Sequence, residues 1–217
     1  MPYSLKSHIR FAKCGKDIIF LDLEHNRYSA LPTSLVPAFL KLTTGDGSDE
    51  SNVNQLAEMG LLNNAVGPLP SKFNCDPPAI ESSISGDVSQ MRCFDAVEAL
   101  MARIAAGIAI RQKRLADIVV SLERAKANLR HKSTGIDDAR AVAAAFALTN
   151  RIIERTDQCF AISIALFRTL VRRGISASLV IGVKTGPFSA HCWVQVGSII
   201  INDDRDLVVN FVPILEI

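Results

Sequence analysis

The sequence lacks paired cysteines, and with them the simplest routes to a disulfide framework or a zinc site. Its five cysteines, Cys14, Cys75, Cys93, Cys159 and Cys192, include no C-x-x-C spacing, and only four histidines accompany them. A basic excess is missing too. The 24 Lys and Arg face 22 Asp and Glu, for a formal net charge of +2, which argues against nucleic acid as a partner. The densest basic stretch, Arg111 to Arg114, lies in a helical pattern near acidic residues and reads as a solvated helix face. No apolar run is long and uncharged enough for a membrane span. The most hydrophobic helical stretch, Phe94 to Ile110, is interrupted by Asp95, Glu98 and Arg103, so it is expected to be a buried or partner-facing helix. No G-x-x-x-x-G-K-[ST] phosphate loop occurs. The odd thiol count and an opening stretch carrying Lys6, His8 and Arg10 predict a reduced, cytoplasmic protein.

What is present suits an α+β protein. The 217 residues are 48% hydrophobic, enough for one large core or for one ordinary domain and a small one. Residues 1–66 predict a small β-plus-α unit: strands over Ser4 to Ala12, Ile18 to Leu23 and Arg27 to Leu31, then helices over Ser34 to Leu42 and Val53 to Leu62. Residues 67–90 contain Pro68, Pro70, Pro77 and Pro78 followed by Ser82, Ser83 and Ser85, and predict a linker. Residues 91–217 open with helices. Phe94, Val97, Met101, Ile104 and Ile108 share one face of the first, Leu115 to Leu129 predicts a second, and Ala139 to Glu154 a third, capped by Asp137 or Asp138.

Thr156 or Asp157 is a suitable N-cap for the next helix, which places Cys159 in its first turn. Free N–H groups and the helix dipole there favour thiolate and can also hold an oxyanion. The helix face continues through Ile162, Leu166 and Leu170 and stops at Arg172-Arg173-Gly174. Ala177 to Val183 predicts an apolar strand, and Ala190 to Val196 a second with His191, Trp193 and Gln195 on its less oily face. Asp203 closes the next strand, where a carboxylate can fix the histidine's tautomer; Asp204 is a rival one residue away. Each residue also has a bland reading: a packing cysteine, a structural histidine, an acid that ends a strand.

The stretch from Asp157 to Ile217, with QCFAISIALFRTLVRRGISASLVIGV, KTGPFSAHCWVQVGSIIINDD and the closing PILEI, resembles the B proteins of lasso-peptide biosynthesis, leader peptidases of transglutaminase-like cysteine protease type. The resemblance implies a Cys-His-Asp triad at Cys159, His191 and Asp203, in a papain/transglutaminase-like domain. DIIFLDLEHNRYSAL is similar to the opening strands of the peptide-recognition elements of ribosomal-peptide modification systems. That likeness implies a winged-helix-like unit that captures a leader peptide as an added strand, with Phe20, Leu21, Leu23 and Tyr28 in contact with it. Trp193 and Phe188 are the candidate walls of the cleavage pocket. The implied partners are a lasso precursor and a cyclase, with no metal and no cofactor of the chain's own; any ATP belongs to the cyclase.

Two rivals stay open. The same triad supports an amide-forming acyltransferase if water is excluded. A vestigial triad would leave a peptide-binding chaperone.

Overall fold

The run Ile18-Ile19-Phe20-Leu21 has no polar alternate, so a strand built from it needs cover on both faces. The computed structural model, which describes residues 4–44, 50–63, 79–84, 93–129, 135–152 and 159–217, supplies both covers. Ser4–Leu5 (β1) precedes an antiparallel meander of Ile9–Cys14 (β2), Asp17–Asp22 (β3) and Arg27–Ala30 (β4). A short 3-10 turn then leads into helices Val36–Thr44 (α1) and Glu50–Glu58 (α2). Leu62–Asn63 (β5) returns to pair with β1. Ile18 and Phe20 face this small helical layer, where Phe11, Phe20 and Phe39 meet edge to face or tilted. Ile19 and Leu21 face the other way, into the core of the C-terminal part. The N-terminal unit is therefore joined to the rest of the molecule by a shared apolar core. β2 lies against the C-terminal sheet, and the Ala116 N–H donates to the Leu23 carbonyl at 2.9 Å.

Within the stretch read as a linker, only residues 79–84 are described; there Ser82–Ser83 (β6) adds as a parallel strand to the C-terminal sheet. Helices Cys93–Gln112 (α3), Leu115–Ala127 (α4), Ile136–Ile152 (α5) and Cys159–Arg172 (α6) follow. Then come strands Ser178–Lys184 (β7), Ser189–Val196 (β8) and Ile199–Ile200 (β9), helix Arg205–Val208 (α7) and strand Val212–Glu216 (β10). The sheet order is β10-β7-β8-β9-β6. α6 packs on this sheet while α3, α4 and α5 pack on α6. Its residues Ile164, Leu166, Phe167 and Leu170 are fully buried, as expected of a helix apolar on all sides. It ends where the sequence pattern predicts. Gly174 takes φ 79°, and the Ile175 N–H closes back on the Leu170 carbonyl at 3.0 Å.

Of the two expectations for α3, the structure excludes burial of its large apolar stripe. The large apolar residues Phe94, Val97, Met101, Ile104 and Ile108 face outward, Phe94 with 74% of its surface exposed. The face that packs is made of Ala99, Ala106 and the buried polar residues Asp95 and Arg103. Small side chains let α3 approach α6 and α5 closely. The buried charges are hydrogen-bonded: Arg173 donates to Asp95 at 2.6 Å and to Glu98, and Arg103 donates to Thr149 and Asn150 at 2.9 Å each. Helical periodicity locates an apolar stripe but does not say that the stripe is the packing face. Among the described residues, no helix is long and apolar enough to cross a membrane.

Candidate active site

The sheet that carries the site is covered on both faces. Alternate residues of β8 send Cys192, Val194 and Val196 into the core under α6 and Trp193 into a second cluster with Val180, Ile200, Val208 and Phe211. The face holding His191 is thus no wetter than its opposite. Trp193 is 1% exposed, and Gln195 is fully buried and accepts from the Trp193 indole at 3.0 Å. His191 lies toward the start of β8, beyond the point where β9 stops pairing at Gln195. The strand edge is open there, and the Cys192 N–H points from that edge at the Cys159 sulfur.

His191 joins the three candidate residues. Its Nε2 lies 2.7 Å from Asp203 Oδ2, and it hydrogen-bonds the Cys159 thiol. With Nε2 engaged by Asp203, Nδ1 is the ring nitrogen left to face sulfur. The imidazole is pushed up to about 9 by the Asp203 hydrogen bond and then by Cys159, against the effect of burial. The Cys159 thiol is held below its usual value, first by its hydrogen bond to His191 and further by the N–H groups of Cys192 and Phe160. The two shifts favour a thiolate–imidazolium pair. Cys192, one residue from His191, has the opposite fate: complete burial drives its thiol far up. The geometry separates Asp203 from its neighbour. Asp203 bonds the histidine, whereas Asp204 caps α7 by accepting from the Asp206 N–H at 2.8 Å. The expected N-cap residues Thr156 and Asp157 lie outside the described residues.

Two residues that sequence reasoning did not single out as functional hold these parts in register. Ser163, one turn beyond Cys159 on α6 and fully buried, donates to the Cys192 carbonyl at 2.8 Å. The Asn202 side chain donates to the Ser163 oxygen at 3.0 Å and accepts from the Val194 N–H at 2.8 Å. The Cys159 helix, the His191 strand and the Asp203 loop thus meet in one hydrogen-bonded knot. The available signal was a serine four residues from the cysteine on an otherwise apolar helix face. Ser163→Ala leaves the Cys192 carbonyl and the Asn202 amide short of a partner. We expect it to lower unfolding free energy by about 1–3 kcal/mol in urea and to slow alkylation of Cys159 by iodoacetamide.

Of the other expected contact residues, Phe20, Leu21, Leu23 and Trp193 are each at most 3% exposed. They form core and floor, so a peptide cannot touch them in this structure. Tyr28 and Phe188 remain. Tyr28 on β4 is half-buried against the C-terminal core, and its ring centroid is 5.4 Å from that of exposed Phe188 in the β7–β8 turn. The Tyr28 hydroxyl is pushed up to about 12 by burial and by the nearby Cys192 and Cys159 thiols. The N-terminal unit therefore reaches the rim of the site. No cluster of His, Cys, Asp and Glu suited to a metal ion occurs among the described residues.

A stretch of 45 residues is 56% identical to the microcin J25-processing protein McjB of Escherichia coli, covering 21% of this chain and 22% of that protein. The match thus spans about a fifth of the relative's length. No solved structure matches the chain. Residues 102–216, more than half of the sequence and the whole of the region that builds the Cys159–His191–Asp203 site, match the transglutaminase-like superfamily, and the chain belongs to that superfamily.

Proposed function

We propose that the chain is a leader peptidase of lasso-peptide biosynthesis, cutting a ribosomally made precursor by thiol acyl transfer. The observation that carries this reading is His191 engaged at once by Asp203 and Cys159; the likeness to a microcin-processing protein supports the substrate class. The Cys159 thiolate attacks the carbonyl at the leader–core junction, and N–H groups at the start of α6 stabilise the oxyanion. The His191 imidazolium protonates the leaving amine. Water, with His191 now acting as base, hydrolyses the acyl-enzyme, while Asp203 keeps the ring oriented.

In the same reading the N-terminal unit is the winged-helix-like recognition element. β4 is an edge strand with only β3 as partner among the described residues, which suits capture of the leader as an added strand. Tyr28 on that strand and Phe188 beside it lie where such a leader would pass toward Cys159. The freed amino group is then the substrate of a partner cyclase, to which any ATP requirement belongs. The thiol chemistry suits the reducing cytoplasm.

The test is mass spectrometry of precursor incubated with the wild type and with Cys159→Ala, with and without the cyclase. Free leader and core from the wild type, and intact precursor with Cys159→Ala, are the expected products. A new amide in place of free leader would replace the peptidase with an acyltransferase. Precursor bound but never cut, in every mixture, would replace it with a chaperone.

A further inference from the structure

On the far side of α6 from the cleft, the junction of α3, α4 and α6 forms a half-open cavity of about 410 Å³, within the range of small-molecule sites. Much of its wall is alanine drawn from all three helices: Ala102, Ala105, Ala106, Ala125 and Ala165. The polar groups among its described lining residues are Ser121, Arg168 and Arg172, with no carboxylate.

The charge there is not balanced. Arg168 donates to the Ser121 hydroxyl at 2.7 Å, and that hydroxyl donates onward to the Ile118 carbonyl at 2.8 Å. Among the described residues no carboxylate pairs with Arg168, although its guanidinium is half-buried. Burial, and then the charge of Arg172, depress its proton affinity, as expected of a cation short of counter-charge. Arg172 is satisfied on one side by Glu98 at 3.1 Å. Arg173 on the same helix end, by contrast, has both Asp95 and Glu98. Two guanidinium groups beside a concave alanine-walled space concentrate positive potential, and their planar forks match phosphate or carboxylate oxygens.

We infer that this cavity binds a small molecule bearing a phosphate or carboxylate oxyanion, clamped by Arg168 and Arg172. Such a ligand bridges three helices and stabilises α6 without entering the cleft. The site does not depend on the reaction proposed above, and its occupancy is read without any measurement of activity.

The experiment is isothermal titration calorimetry of the full chain with inorganic phosphate and, separately, with succinate, at constant ionic strength with chloride as control. Wild type is expected to bind at least one of them saturably, and its thermal midpoint to rise with that anion. Arg168→Gln is expected to weaken binding about tenfold or more, because a charge-assisted fork is lost. Ala105→Glu, which puts a carboxylate on the cavity wall, is expected to compete for the clamp; it carries the test alone if Arg168→Gln does not fold. Tighter phosphate binding would assign the ligand as a phosphate ester, and tighter succinate binding as a carboxylic acid. Absence of saturable binding by both anions would overturn the inference. So would affinity left unchanged in the folded variants.

Discussion

Asp203→Asn is expected to lower precursor cleavage by on the order of 10²-fold or more and to move the alkaline limb of the pH–rate profile toward neutrality. In the proposed mechanism the attacking form of the site is thiolate beside imidazolium. It exists above the lowered value of the Cys159 thiol and below the point near 9 at which His191 gives up its proton. The two groups are bonded to each other, so both limbs belong to the pair. Asp203 is the first cause of the raised histidine value. An amide that cannot hold imidazolium by charge lets the proton leave at lower pH.

Stability moves with the same sign. A histidine raised in the folded state adds stability below its ordinary value of 6.5, and that contribution disappears as pH rises through about 9. The asparagine variant should therefore lose stability relative to wild type at acid and neutral pH, with the difference shrinking above 9. Rate profiles and urea melts across pH measure both effects. An alkaline limb that stays in place while rate falls would show that Asp203 acts only through packing.

The parts of the site that were legible in the sequence are those encoded by local order. A cysteine opening an apolar helix, a histidine on the second of two apolar strands and an acid just past the next turn each follow from short-range pattern. Tight strand connections then bring them together. Local pattern left Asp203 and Asp204 open, because a one-residue shift in a turn exchanges them; the family resemblance favoured Asp203, and in the structure Asp203 bonds His191 while Asp204 caps α7. Ser163 and Asn202 were hidden for a related reason. Their bond spans 39 residues, and each looks ordinary in its own segment. For α3 the sequence left a buried and a partner-facing stripe open, because periodicity is blind to the partner; the stripe is exposed, and small residues and hydrogen-bonded charges pack in its place. The closing strand β10 was also missed. Its place at the sheet edge beside β7, remote from its sequence neighbour β9, is a long-range pairing. The run Ile18 to Leu21 was legible as a strand, but the two-sided burial that ties the N-terminal unit to the C-terminal core was not read from it.

Gly182→Ala is expected to destabilise the protein and the site together, although the change adds one methyl group far from the nucleophile in sequence. Gly182 pairs across the sheet with His191, and the Trp193 ring lies in the space where a side chain at 182 would stand. A Cβ there would sit 2.7 Å from Trp193 Cζ3 and 2.8 Å from Phe211 Cβ, distances that packed carbon atoms do not adopt. Neither neighbour has room to yield. Trp193 is fully buried and tied through its indole to Gln195, and the contact on Phe211 falls beside its backbone. Overpacking of this kind costs about 1–3 kcal/mol, or a fall in melting temperature of roughly 2–10 °C for a chain of this size. The functional part follows from what rests on the two rings. His191 is stacked on Trp193 at 6.5 Å between centroids and tilted against Phe211 at 5.3 Å, so displacing either ring tips the imidazole away from sulfur. Cleavage should fall more steeply than the loss of folded protein explains, and alkylation of Cys159 should slow in the fraction that remains folded. Gly107→Ala is the matched control. It lies inside α3 with nothing within 4 Å of the added carbon, and relief of glycine's conformational freedom should stabilise the helix by roughly 0.5–1 kcal/mol. If Gly182→Ala melts like wild type, the glycine is not what seats Trp193 beneath the histidine, and the support for His191 has to come from Asp203 alone.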